Sequence, residues 1–220
     1  MVFPARTFDL APAARGPSRR QPPSQQPDFR RLVGEAAWAA LPARVRDRFG
    51  AHRATRQYPG VMDVRMNWLG WLFAHACRLI GTPLAPWPGA GVPVVVSVRP
   101  LPGGAILWER AYAYPGRPSL AIASRKQAAP DGSPLEITRG GLGMRLDVTM
   151  EAGALVFRST AYFWRLGAFS LPIPLLLTPG RACVVHRDLG GGRFHFGLSF
   201  VHPLAGETFH NAGDFRDPIP

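Results

Sequence analysis

The stretch Pro102-Gly103-Gly104-Ala105-Ile106-Leu107-Trp108-Glu109-Arg110-Ala111-Tyr112-Ala113-Tyr114-Pro115-Gly116 has turn chemistry at both ends and a period of two between them. Successive side chains of an extended chain point to opposite faces. Ile106, Trp108, Arg110, Tyr112 and Tyr114 therefore share one face, and Leu107, Glu109, Ala111 and Ala113 the other. The same period runs through residues 92–99, 118–127, 134–139, 142–150, 153–164, 181–188, 193–202 and 206–212, with separators such as Asp131-Gly132-Ser133, Gly140-Gly141 and Gly190-Gly191-Gly192. Strands joined by such short turns form an antiparallel meander. A sheet of this many strands must curl or close to protect its edges.

Outward from this region the pattern changes. Residues 52–65 alternate loosely and read as one strand broken or turned at Pro59-Gly60. From Asn67 to Gly81 apolar residues, among them Trp68, Trp71, Leu72 and Phe73, occupy nearly the whole circumference of a helix that Gly81 and Pro83 end. A helix apolar on all sides is expected to be buried, so it is the object for the sheet to wrap. Asp28 can cap a helix whose apolar face is Phe29, Leu32, Val33, Ala36 and Ala40, and a shorter helix runs from Pro42 to Phe49. The expected fold is α+β: a strongly curved antiparallel sheet or partial β-barrel packed around an apolar helix, with N-terminal helices. Residues 1–27, rich in Pro, Arg, Ser and Gln, read as a disordered tail, and 28–220 as a single domain. In Leu171-Pro172-Ile173-Pro174-Leu175-Leu176-Leu177-Thr178-Pro179 the spaced prolines forbid a central strand, which leaves an extended connector over a barrel mouth or sheet edge, its leucines covering a pocket.

Composition narrows function by exclusion. The 220 residues carry 26 Lys+Arg against 14 Asp+Glu, a formal net charge of +12, yet the cations are 25 arginines and the single Lys126. Arg, Ala, Gly and Pro are over-used together, which fits a GC-rich coding bias, so a nucleic-acid partner is not expected from charge alone. Cys77 and Cys183 are far apart and belong to no metal-ligand or disulfide spacing. No secretion signal is visible, and a cytoplasmic location is expected. The longest apolar stretch falls short of the ~20 residues that span a bilayer, which leaves contact with a membrane surface open but not spanning. Hydrolase, nucleotide-binding and zinc-protease motifs are missing. No cofactor and no metal are expected.

Several segments nevertheless resemble a family. Phe29-Arg-Arg-Leu-Val-Gly34, Leu41-Pro42, Gly81-Thr-Pro83, Trp108-Glu-Arg110, the Leu171–Pro179 connector and Gly192-Arg-Phe-His-Phe196 are similar, in this order, to an uncharacterised bacterial domain-of-unknown-function family. The likeness covers roughly residues 28–215. Members of that family occur alone or fused behind NAD(P)-binding domains similar to saccharopine dehydrogenase, which implies an accessory or substrate-presenting partner of an NAD(P)-dependent oxidoreductase. Many members end in a Tyr-x-Gly-Trp strand, whereas this chain has Phe209-His-Asn-Ala-Gly213-Asp-Phe215.

The residues themselves suggest a binder. Trp108, Arg110 and Tyr112 on one strand, and Arg158, Tyr162 and Trp164 on another, repeat an arginine flanked by aromatics. If both faces line a concave side, the result is an apolar pocket with a few cations, suited to a hydrophobic or lipid-like small molecule with a carboxylate or phosphate head group. Glu136 is the acid that would instead tie Arg110 into a structural bridge. A different reading is a histidine-based enzyme, in which His186 and His195 form a cross-strand proton-transfer pair with Asp188 if residues 181–188 pair with 193–202.

Overall fold

A computed structural model describes residues 26–50, 54–81 and 84–218. The expected tail lies outside the described residues except for its last two positions, and these pack. Pro27 is fully buried, and Gln26 Nε2 donates to the Gly50 carbonyl at 2.9 Å.

The strands are β1 (Arg56–Met66), β2 (Gly89–Pro100), β3 (Ile106–Tyr112), β4 (Leu120–Ala128), β5 (Pro134–Thr138), β6 (Leu142–Glu151), β7 (Ala154–Leu166), β8 (Phe169–Ile173), β9 (Arg181–Gly190), β10 (Arg193–His202) and β11 (Gly206–Arg216). From β1 to β7 each strand pairs antiparallel with the next; β7 then pairs with β9 through Phe157 and Val184, and β11 returns to β1 through Asn211 and Val64. The outcome is a closed ten-stranded barrel of up-and-down connectivity, with β8 attached to the last residues of β7. Closure leaves no free edges around the ring. The fold is therefore mostly β with a few helices, and the barrel is closed, not partial. Pro59-Gly60 produces no turn: β1 runs through both residues. Pairing with β11 begins only at Gly60, so Pro59, which has no N–H to give, sits where that ladder has not yet started.

The barrel has two unlike ends. Where β1 starts, three short helices, α1 (Phe29–Val33), α2 (Glu35–Ala40) and α3 (Ala43–Phe49), close it. The side chain of Asp28 caps α1 by accepting from Arg31 N at 3.1 Å. Gly34, at φ 85°, then splits the one helix expected from this region into two. Phe49 of α3 reaches into the barrel, its ring 5.9 Å from Trp108 and 5.5 Å from Phe157. Arg48 beside it is 3% exposed and fastens this plug, donating to Asp217 at 2.6 and 2.8 Å and to Asp188 at 3.0 Å.

At the other end, the mouth, β1 runs almost directly into α4 (Trp68–Leu79). Asn67 accepts from Gly70 N at 2.9 Å and donates to the Ala205 carbonyl at 3.1 Å, tying the helix to the β10–β11 turn. Gly70 lies so close to β11 that a Cβ there would stand 1.9 Å from the Thr208 carbonyl oxygen. These contacts fix α4 across the rim, so the expected burial of this helix inside the sheet is corrected. Only Gly70 and Ala74 are buried, while Trp68, Trp71, Leu72 and Leu79 are exposed. The Leu171–Pro179 segment reaches the same rim as β8 and a 3-10 turn (Leu175–Leu177), in keeping with its reading as a connector over a mouth.

Candidate functional site

Between plug and mouth the barrel encloses a cavity of about 370 Å³, a volume within the range of small-molecule sites. Phe49, Trp108 and Phe157 form its floor, and Cys77 of α4, Ile80 just past its end and Leu177 surround its opening. Burial pushes the Cys77 thiol pKa upward, so this cysteine is a neutral part of the wall.

The polar groups of the lumen come from β3, β4 and β5 by alternation. On β3 the inward positions are Ile106, Trp108, Arg110 and Tyr112, as the sequence pattern predicts, and all are buried. On β4 the inward set includes Ile122, Ser124 and Lys126, and β5 contributes Glu136. Lys126 Nζ donates to Glu136 Oε2 at 2.5 Å, and Ser124 Oγ donates to Oε1 at 2.6 Å. Burial alone would raise the Glu136 pKa, but the charges of Lys126 and Arg110 and the two hydrogen bonds outweigh it and hold the carboxyl at about 2. Burial, with the Arg110 charge in support, pushes Lys126 downward despite its carboxylate partner.

Arg110 is 9% exposed and makes no hydrogen bond or ion pair among the described residues. Its guanidinium lies 5.5 Å over the Phe196 ring. The expected bridge between Arg110 and Glu136 is not formed, because Lys126 occupies the carboxylate. Counted as ions, the described residues of the lumen supply two cations and one anion. An uncompensated charge removed from water is costly unless something pairs with it. Near it, Asn211 Nδ2 donates to the Tyr112 hydroxyl at 2.5 Å, and Asn211 Oδ1, buried, has no partner among the described residues.

Of the residues read as a ligand site, Trp108, Arg110, Tyr112 and Tyr162 line this cavity, together with Glu136 and His186 from the polar set. Arg158 does not. It stands on the outer wall, bonded to Glu151 and Thr149. The cause is a β-bulge: Leu146 pairs with Ser159 and Arg145 with Ala161, so Thr160 is an extra residue that reverses the facing of β7. Before the bulge Leu155 and Phe157 point inward, and beyond it Tyr162 does. Tyr162 donates from its hydroxyl to the Gly180 carbonyl at 2.6 Å. Trp164 is half-buried but does not line the lumen; its Nε1 donates to the Gly140 carbonyl at 2.9 Å and closes the β5–β6 turn.

The histidines do not converge. β9 and β10 do pair, but His186 faces Phe196 and His195 faces Arg187 in the register, which puts the two imidazoles on opposite sides of the wall. His195 is on the outside, 2.8 Å from Asp214. His186 is buried between Phe49 and Phe194, and burial, followed by the Arg48 charge, drives its pKa down to about 3. Asp188 binds Arg48 instead of either imidazole. Among the described residues no group of three or more His, Cys, Asp or Glu is placed to hold a metal ion.

The family model described as Domain of unknown function (DUF4166) matches residues 41–215. The chain belongs to this family. No curated protein and no solved structure matches it. The matched span takes in α3, α4 and every strand but the last residue of β11, so barrel, plug residues Arg48 and Phe49, and mouth are all parts of the DUF4166 domain. Ser124, Lys126 and Asn211 are polar site residues that the sequence reading missed, as it missed Arg48 in the plug. Lys126 did carry a signal, as the one lysine in a chain that uses arginine everywhere else.

Proposed function

We propose that this chain binds one hydrophobic, lipid-like small molecule with an anionic head group, the apolar part in the barrel lumen and the head group on Arg110. The observation that carries the reading is an apolar hollow of about 370 Å³ that contains a buried guanidinium with no counter-ion among the described residues. A ligand carboxylate or phosphate would supply the missing anion through paired N–H donors in fixed geometry. Asn211 and the Tyr112 hydroxyl stand beside the path of such a group, and Phe49, Trp108, Phe157 and Phe196 would meet its carbon skeleton.

Displacement of a bound fluorescent fatty acid from the delipidated full chain, with oleate and its methyl ester as competitors, tests the reading. Oleate should compete at one molecule per chain. The ester keeps the tail but lacks the charge, and should bind about 10–100-fold more weakly, the value of one charge-assisted hydrogen-bonded contact. Failure of both competitors, or equal affinity for the two, would remove the proposal.

A further inference from the structure

Large apolar side chains exposed among the described residues are concentrated at one place. All but Val61, Val95 and Leu189 lie at the mouth, on α4, on the β7–β8 hairpin and 3-10 turn, at Val201 near the end of β10, and at Leu204 in the β10–β11 turn. Leu79 is 89% exposed, Leu204 83%, Phe169 76% and Trp68 73%. Large apolar side chains gathered this way at one end of a barrel mark a site that meets another apolar phase.

Charge is distributed to match. Arg65, Arg78, Arg117, Arg139, Arg165 and Arg181 surround the same mouth, and none has an ion-pair partner among the described residues. Of the described acids only Asp63 and Glu207 lie at that end. Those at the plugged end, including Glu35, Asp47, Asp131, Glu151 and Asp217, bind arginines there; Arg99, Arg187, Arg193 and Arg216 at that end are also without an ion pair among the described residues but have no apolar crown beside them. The basic face that α4 lacks as an isolated helix is thus supplied by the turns beside it. An apolar crown ringed by unpaired arginines is complementary to a negatively charged lipid surface, whose acyl region takes the crown and whose head groups pair with the guanidiniums.

We propose that the mouth end docks on the surface of an anionic phospholipid bilayer, with α4 and the Phe169–Leu177 segment entering the interface and the lumen opening onto it. No described helix is long and apolar enough to cross a membrane, and docking requires none. The inference concerns the outer rim, and it holds or fails independently of what the lumen binds.

Co-sedimentation with vesicles of phosphatidylcholine, alone and mixed with phosphatidylglycerol, reads the docking directly. The chain should pellet with the mixed vesicles, only weakly with the neutral ones, and less as salt rises. Each rim arginine near the surface should be worth about fivefold in affinity, so a chain carrying R65Q, R139Q and R181Q should lose on the order of a hundredfold. The triple variant R99Q, R193Q and R216Q, with the same change in net charge at the plugged end, should bind as wild type does. Exchanging Trp68, Leu79, Phe169 and Leu204 for serine, none of them a lumen residue, should abolish vesicle binding while leaving oleate displacement intact. The proposal is overturned if the wild-type chain ignores anionic vesicles, if the plugged-end triple loses as much as the rim triple, or if the serine variant still pellets. A failure of the lumen reading would appear in the oleate titration alone.

Discussion

Replacing Arg110 with methionine should have opposite effects on the empty and the loaded protein. In the barrel without ligand Arg110 is a buried cation with no hydrogen-bonded partner among the described residues, while Lys126 and Glu136 satisfy each other at 2.5 Å. Met is a flexible side chain of comparable length that leaves the neutral Lys126–Glu136 pair behind. Exchanging buried ionic groups for packed apolar ones of similar volume ranges from neutral to stabilising by about 1–4 kcal/mol. The lower half of that range applies here, because Arg110 also helps hold the Glu136 carboxylate in its charged form. At about 2–4 °C per kcal/mol for a chain of this size, delipidated Arg110→Met should melt some degrees above wild type. Oleate affinity should move the other way, falling about 10–100-fold with the loss of the charged contact. Arg110→Lys should keep part of that affinity, since it retains the charge but not the two-pronged donor geometry. Scanning calorimetry of the delipidated proteins beside the displacement titration measures both quantities. A melting temperature that drops by several degrees while oleate affinity stays at the wild-type value would show Arg110 to be a structural tie to Glu136, and the argument from its missing partner would be wrong.

Acid should unfold the protein in two overlapping stages. Native His186 is held at about 3 against an ordinary value of 6.5, so between these limits only the unfolded chain takes up the proton; stability falls as pH drops through that window, by roughly 4 kcal/mol. Glu136, at about 2 against 4.5, adds a loss that begins below 4.5. Urea midpoints measured against pH should show this slope, and His186→Phe should flatten it between pH 6.5 and 3. Arg48→Met strips Asp188 and Asp217 of their buried partner and should lower stability by about 3–5 kcal/mol, with limited proteolysis now cutting within residues 29–49. By contrast Arg158→Gln, on the outer wall, should leave both the melting temperature and oleate affinity at wild-type values; a loss of oleate binding there would contradict the position of the bulge at Thr160.

What could be read from residues alone depended on whether the deciding contact was local. The face carrying Trp108, Arg110 and Tyr112 was legible because β3 pairs without irregularity with both of its neighbours, so strand parity fixes every side chain once one is inside. The same rule failed on β7 at Arg158, because the extra residue at Thr160 is defined only against β6, and nothing in the sequence of β7 by itself marks it. Helix α4 failed for a different reason. An apolar circumference states that the helix avoids water, but it does not say whether protein or another apolar phase replaces the water, and Gly70 against Thr208 fixes it on the rim with its tryptophans outward. Closure was the least legible feature, since it joins the first strand to the last, and the first was obscured by Pro59-Gly60. Lys126 stands between these cases. A deep position beside one carboxylate suits a compact ammonium, whose three donors Glu136 and its surroundings can engage, better than a planar guanidinium with five. A lone lysine among arginines was therefore a pointer to a buried acid, and pairing it with Glu136 is what leaves Arg110 without a counter-ion and gives the lumen its excess positive charge.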